Sequence, residues 1–436
     1  MKRFTPEELA SESRPLSEMA LEALAQGNID RLHALLNTMS ESHRGLYYGY
    51  LNWLEMILGR IRIDAGEEFM EAVLEQSAMF IMKPIADRFL QGNEKDVFTQ
   101  LISFWKNQPE AGVLPIREND ETIEFLISPC DSGGRFARQP SQAGSSRLFA
   151  LCSDGAPAFC HACRSLQKSL NSLCGAAVWQ IENDPDLPAT CRMTFSKLQA
   201  KGTRLFEGNE IYDTTKTRCR QALEKLSRMD FNLEDVLTDH HHEWRDLHDL
   251  YNVLVTCLLT AMYKDRGTAY IDDLLHETYV IPNESLYTAY RAMDDITFFR
   301  FLVRTWYYHQ AAFTIEEEED RFKFILDPCG SGGRLYRGEI GGGAYPYGGN
   351  MLCLMDEPAD INFNRRDFPI YCTHCAATNR DQFMGQPWPF IVDGHSQMRP
   401  GMPCIQYFYK KDAKREIDAA LPAQVGLSGV SPLKEP

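Results

Sequence analysis

The sequence predicts an α+β protein built from two tandem copies of one unit, each a helical part followed by a small cysteine-rich, zinc-binding part with short strands. Three observations lead there. One cysteine pattern is written twice about 200 residues apart, a helical apolar stripe recurs at a fixed offset ahead of each pattern, and a short strand candidate runs into the first cysteine of each. The units are residues 1–200 and 201–412, with a tail from 413 to 436 whose Pro, Gly and Ser content predicts disorder.

The helical parts span about 16–108 and 217–313. In the first, Leu46, Tyr50, Ile57 and Ile61 fall on one face, and Leu247, Tyr251, Leu258 and Met262 repeat them 201 positions later. Both runs meet an Asp-x-Gly stop, Asp64–Gly66 and Asp265–Gly267, where glycine with positive φ can end a helix. A repeat this long indicates gene-scale duplication rather than a solenoid. Residues 197–213 are expected to link the copies, and the acidic run 316–320 to be a solvated turn.

The cysteine parts span about 120–197 and 320–411. Strands are expected at Ile123–Ile127 and Phe322–Leu326, and a short helix at Arg164–Leu173, after the first CxxC. The first copy supplies Cys130, Cys160, Cys163 and Cys191 as C-x29-C-x2-C-x27-C. The second supplies Cys329, Cys372, Cys375 and Cys404 as C-x42-C-x2-C-x28-C. Four converging thiolates suit tetrahedral zinc, with CxxC giving two ligands from one turn and distant segments giving the others. Iron–sulfur clusters and disulfides are the competing identities. No secretory signal is read at the N-terminus and no run approaches a membrane span, which favours a reducing, cytoplasmic setting; the odd total of 13 cysteines agrees.

The net charge of −16 argues against general nucleic-acid or anionic-membrane binding, which leans on Lys and Arg. After the first cysteine of each copy comes SGGR: Ser132, Gly133, Gly134 and Arg135, then Ser331, Gly332, Gly333 and Arg334. Glycine N–H groups, a hydroxyl and a guanidinium can cradle a carboxylate or phosphate, making Ser132, Arg135, Ser331, Gly332, Gly333 and Arg334 candidate substrate contacts. The alternative is that the glycines turn the chain around the metal. The matched pair Cys152 and Cys353 reads as buried apolar thiols, with a nucleophilic or fifth-ligand thiol as the other option, for which no fixed His or basic neighbour is evident. His240–His242 followed by Glu243 reads as a solvated helix start, or as an open metal site or an acid–base group near neutral pH. The Gly- and Tyr-rich stretch 337–350 suits a lid or a plain insertion.

The segments Asp327–Arg334, Tyr371–Cys375 and Pro403–Lys410 resemble a cysteine domain of uncharacterised bacterial proteins that carries DPCGSGGR, YCxHC and a late PC. The first copy departs from it at Ser128, Asp131 and Thr190. The resemblance implies one domain and no reaction. Two function classes follow from the residues: an enzyme of small-molecule metabolism with an anionic substrate at the SGGR loops, or a non-catalytic zinc-stabilised scaffold that binds a partner. No nucleophile–base pair, phosphate-binding loop, HExxH or dinucleotide fingerprint is present.

Overall fold

The computed structural model describes residues 2–138, 147–149, 151–183, 187, 189–238, 240–384, 391–393, 402–411 and 420–427. Long helices and small antiparallel sheets make it α+β, as expected. Among the described residues no helix is long and apolar enough to cross a membrane. The chain divides into two units, Leu16–Leu254 and Met1–Pro15 with Val255–Pro436. The compact units thus meet between Leu254 and Val255.

In the unit Leu16–Leu254, Asn28 accepts from the Arg31 N–H and starts the helix Ile29–Ala65. Gly66, at φ 93°, ends that helix and lets the chain enter the helix Glu67–Leu90 at once. The expected stripe is real: Tyr50, Ile57 and Ile61 are buried. A third helix, Glu94–Lys106, lays Phe98 and Trp105 on a four-stranded sheet. Phe98 stacks on Phe195 at 5.2 Å, and Trp105 meets Trp179 edge-on at 5.4 Å.

The strands of that sheet are β1 (Val113–Glu118), β2 (Thr122–Ile127), β3 (Trp179–Asn183) and β4 (Cys191–Ser196), ordered β1-β2-β4-β3 and antiparallel throughout. Alternation explains β2, which turns Ile123, Phe125 and Ile127 into the core. The other strands were not read from the sequence. The segment expected as a linker is docked: Lys197 is fully buried, and Leu205 and Phe206 donate their N–H groups to the Glu118 carboxylate at 2.6 and 3.2 Å. A helix follows at Glu210–Thr214.

The second unit has β5 (Phe313–Glu317), β6 (Arg321–Leu326), two short paired strands β7 (Leu354–Met355) and β8 (Phe368–Pro369), then β9 (Ile391–Asp393) and β10 (Cys404–Tyr409). Its sheet runs β5-β6-β10-β9, the order of the first sheet. Asp294 caps the helix Asp295–Tyr308, which packs Phe298, Phe299 and Leu302 against Phe322, Phe324 and Phe408. Part of the expected solvated acidic turn is strand: Glu316 and Glu317 lie in β5, and Glu317 is buried against Lys410 at 2.7 Å.

The chain's first residues belong here. Arg3 and Phe4 donate their N–H groups to the Glu317 carboxylate, and the Phe4 ring lies 4.9 Å from Phe299. Most of the tail from 413 lies outside the described residues. Within it Ala420–Ala423 is a helical turn that buries Leu421 and Val425, so this stretch packs instead of trailing. Residues 337–350 are likewise tied down, with Ile340 and Tyr345 buried and the Tyr347 hydroxyl accepting from the Tyr371 N–H at 3.2 Å.

Candidate metal centres

Strand register sets the first and last cysteine of each quartet. Ile127 pairs with Cys191, and Leu326 with Cys404, so the cysteine three residues past β2 or β6 comes back toward the start of the neighbouring strand. The peptide bonds Ser128–Pro129 and Asp327–Pro328 are both cis. Cys329 and Cys404 line one small pocket, with Gly333, Tyr336 and Arg337.

The middle cysteines ride on helices. Cys160 and Cys163 lie in the first turns of the helix Ala158–Cys174, which begins before the CxxC and not after it as expected. Cys372 ends a short 3₁₀ turn at Ile370–Cys372, and Cys375 lies in the first turn of the helix Thr373–Met384. Glu55 fixes the first of these helices: its buried carboxylate accepts from the Ala158 and Phe159 N–H groups at 3.1 and 2.8 Å. Burial lifts that carboxyl to about 7.

The SGGR loops join the two pairs. A Cβ on Gly133 would stand 2.3 Å from the Cys160 sulfur, and one on Gly332 would stand 2.4 Å from the Cys372 sulfur. A Cβ on Gly134 or Gly333 would press on the Cβ of Cys130 or Cys329 at 2.9 or 3.0 Å. Only glycine allows so close an approach of backbone to sulfur. Ser132 is fully buried with its hydroxyl 3.2 Å from the Cys130 sulfur, and Ser331 holds the same place 3.8 Å from Cys329. Arg135 lies over the Tyr48 ring at 3.7 Å, while Arg334 is buried and reaches the Gly330 carbonyl at 3.4 Å.

Electrostatics marks the first quartet as one cluster. Cys130 is drawn down to about 6, chiefly by a hydrogen bond from Cys191. That bond, then burial, then the other three thiols raise Cys191. Burial and then Cys130 push Cys160 up to about 12, and burial followed by Cys160 and Cys130 lifts Cys163 well above its usual range. The thiolates of Cys160, Cys163 and Cys191 are thus penalised by burial and by their neighbours, the condition a divalent cation would reverse. All 13 cysteines are free thiols in this structure.

A tighter cluster lies elsewhere. Glu67, Cys152 and His161 offer ligand atoms that all lie within 4.8 Å of one another, and no cysteine of either quartet belongs to that group. Among the described residues no three of the eight quartet cysteines bring their sulfurs within 4.8 Å of one another, as this trio does its ligand atoms.

The departures at Ser128, Asp131 and Thr190 have local causes. The Ser128 and Thr190 hydroxyls pair at 2.9 Å. Asp131 accepts from the Tyr48 hydroxyl at 2.9 Å and the Glu110 N–H at 3.0 Å. Gly330, its counterpart, abuts the His309 carbonyl, where a Cβ would be 1.5 Å away. The three histidines form a 3₁₀ turn, and the expected solvated start is only half right. The His241 and His242 rings lie 3.9 Å apart, tilted by 50°, while His240 is buried and held down to about 3 by that burial.

Sequence reasoning missed Glu55, Glu67 and the buried pairs Glu118–Lys197 and Glu317–Lys410. A signal for Glu55 existed, since it is the one acid in the apolar run 53–58. Comparison with family models, curated proteins and solved structures returned no match.

Proposed function

We propose that the chain is a zinc-binding protein made from two copies of one unit, each holding a four-cysteine zinc site that fastens its helices to its sheet. The observation that carries this reading is the approach of both glycine loops to sulfur: in each half the residue after the serine lies against the first CxxC sulfur with no room for a Cβ. The duplication is supported by equal sheet order, equal register at the last cysteine and matching Lys–Glu pairs. A four-thiolate site has no open coordination position, so the metal's role is to brace. Because the SGGR serines and glycines are engaged with sulfur, the scaffold reading is the better supported of the two classes.

The small-anion reading keeps one observation in its favour: among the described residues Arg135 Nη1 is buried without a hydrogen-bond partner. The test is elemental analysis of full-length protein beside Cys160→Ser and Cys372→Ser. Each substitution is expected to remove one equivalent of zinc, while visible absorption and labile sulfide report an iron–sulfur cluster instead. Unchanged metal content in both variants would overturn the proposal. A melting-temperature rise with phosphate or small carboxylates, lost in Arg135→Ala at constant zinc, would restore the anion reading.

A further inference from the structure

We infer that Glu67, Cys152 and His161 form a separate mononuclear site for a zinc-class divalent metal, with a coordination position left open to water or a ligand. The donors come from three places. Glu67 is the first residue of its helix, immediately after Gly66; Cys152 lies in the loop before the helix Ala158–Cys174; His161 is in that helix's first turn. Their ligand atoms all lie within 4.8 Å of one another, with Cys152 and His161 buried and Glu67 half-buried.

Sulfur, imidazole and carboxylate together select a borderline metal such as zinc or cobalt over magnesium or calcium, which prefer all-oxygen sets. Three protein ligands are the count of sites that keep a fourth position open, in contrast to the closed quartets.

The surroundings are those of a held site. Glu71 lies 2.8 Å from His161 Nδ1 and Asp154 lies 3.3 Å from Nε2, so whichever nitrogen turns to the metal, a carboxylate fixes the other. Glu67 ties down the loop, accepting from the Ser153 N–H at 3.0 Å and its hydroxyl at 2.8 Å, which sets Cys152 beside it. Arg164 steadies Asp154 at 2.6 Å.

The second half supplies an internal contrast. Gly66-Glu67 corresponds to Gly267-Thr268, and Cys160-His161 to Cys372-Thr373, so threonine stands at both positions while Cys353 keeps only the thiol. There Thr373 donates to the Ile370 carbonyl at 2.6 Å, and the Cys353 N–H donates to the Thr260 hydroxyl at 3.2 Å. The site is therefore a property of the first half alone.

Full-length protein, Glu67→Thr and Cys152→Ala are equilibrated with excess zinc, desalted and counted for metal. Both variants are expected to hold one equivalent less than the parent. Cobalt added to the parent gives a sulfur-to-cobalt charge-transfer band that is smaller by one site's share in Cys152→Ala. The difference is read whatever the quartets hold, so failure of the quartet proposal leaves this test intact. Glu67→Thr carries the residue found in the second half, and circular dichroism checks that it folds. Equal zinc in all three proteins would overturn the site and leave the trio as a hydrogen-bonded network.

Discussion

Replacing Lys197 with methionine is expected to unfold the unit Leu16–Leu254 far more easily than any surface change. The lysine is fully buried, and its ammonium spends all three protons: on Glu118 at 2.7 Å, the Asn119 carbonyl at 2.8 Å and the Thr203 carbonyl at 2.7 Å. Methionine keeps the stem and removes the charge, leaving the Glu118 carboxylate, only 3% exposed, with just two backbone donors. Breaking one side of such a pair costs about 3–5 kcal/mol. For a unit of this size that lowers the melting temperature by about 10 °C. Burial raises the Glu118 carboxyl, but Lys197 and the Leu205 and Phe206 N–H groups outweigh it, so its folded value lies below the ordinary 4.5. The pair's contribution is therefore present above that pH and is lost as pH falls through the folded value; the parent–variant gap should shrink in acid. Urea unfolding of parent, Lys197→Met, Glu118→Gln and the double variant measures the coupling. A single-variant cost below about 1 kcal/mol, or strictly additive changes, would refute a strong buried pair.

Three further outcomes follow from the same geometry. Burial holds His43 at about 4 and His240 at about 3 against an unfolded 6.5, so the unfolded chain takes up more protons between those limits and stability falls as pH drops from 6.5. His43 alone then costs about 3 kcal/mol by pH 4, and His43→Gln should flatten the acid limb of a stability–pH curve. Gly133→Ala or Gly332→Ala should cost about 1–3 kcal/mol and, on the zinc proposal, speed metal release to a chromophoric chelator, whereas Gly49→Ala, with open space around its Cβ in mid-helix, should stabilise by about 0.5–1 kcal/mol. Deleting residues 2–12 should lower hydrogen-exchange protection in β5, β6 and β10 and leave β1, β2 and β4 unchanged, because Glu317 loses the Arg3 and Phe4 N–H groups; equal loss in both sheets would contradict the docking.

The α+β class, the Asp-x-Gly helix stops and the strands β2 and β6 were legible because each rests on local signals: apolar period, glycine and alternation. Strands β1, β5, β4 and β10 were not, because half of their side chains face other elements and their pairing is decided by register rather than by composition. Glu316 and Glu317 show the difficulty. A run of four glutamates reads as solvated until Lys410, 93 positions later, supplies a buried partner. The two cysteine patterns were legible from spacing alone. Glu67 was not, since it lies in no motif, and His161, although it sits inside the first CxxC, gave no sign of these partners, because their meeting depends on how two helices start.

The docked openings also explain why the compact units differ from the read repeats. The first repeat opens with Arg3-Phe4 and the second with Leu205-Phe206, and each dipeptide lends its N–H groups to a buried glutamate at the end of a sheet's first strand. Arg3-Phe4 serves Glu317, in the second half, and Leu205-Phe206 serves Glu118, in the first. Each glutamate is in turn paired with the lysine that follows the strand beginning at the fourth cysteine, Lys410 or Lys197. Helices repeat the scheme: Glu12 pairs with Arg300, and Glu210 with Lys95 at 2.6 Å. On the duplication proposed above, each copy therefore hands its opening segment to the sheet of the other. On that proposal each buried Glu–Lys pair lies within one repeat, while the backbone N–H groups that complete its glutamate's hydrogen bonds come from the other.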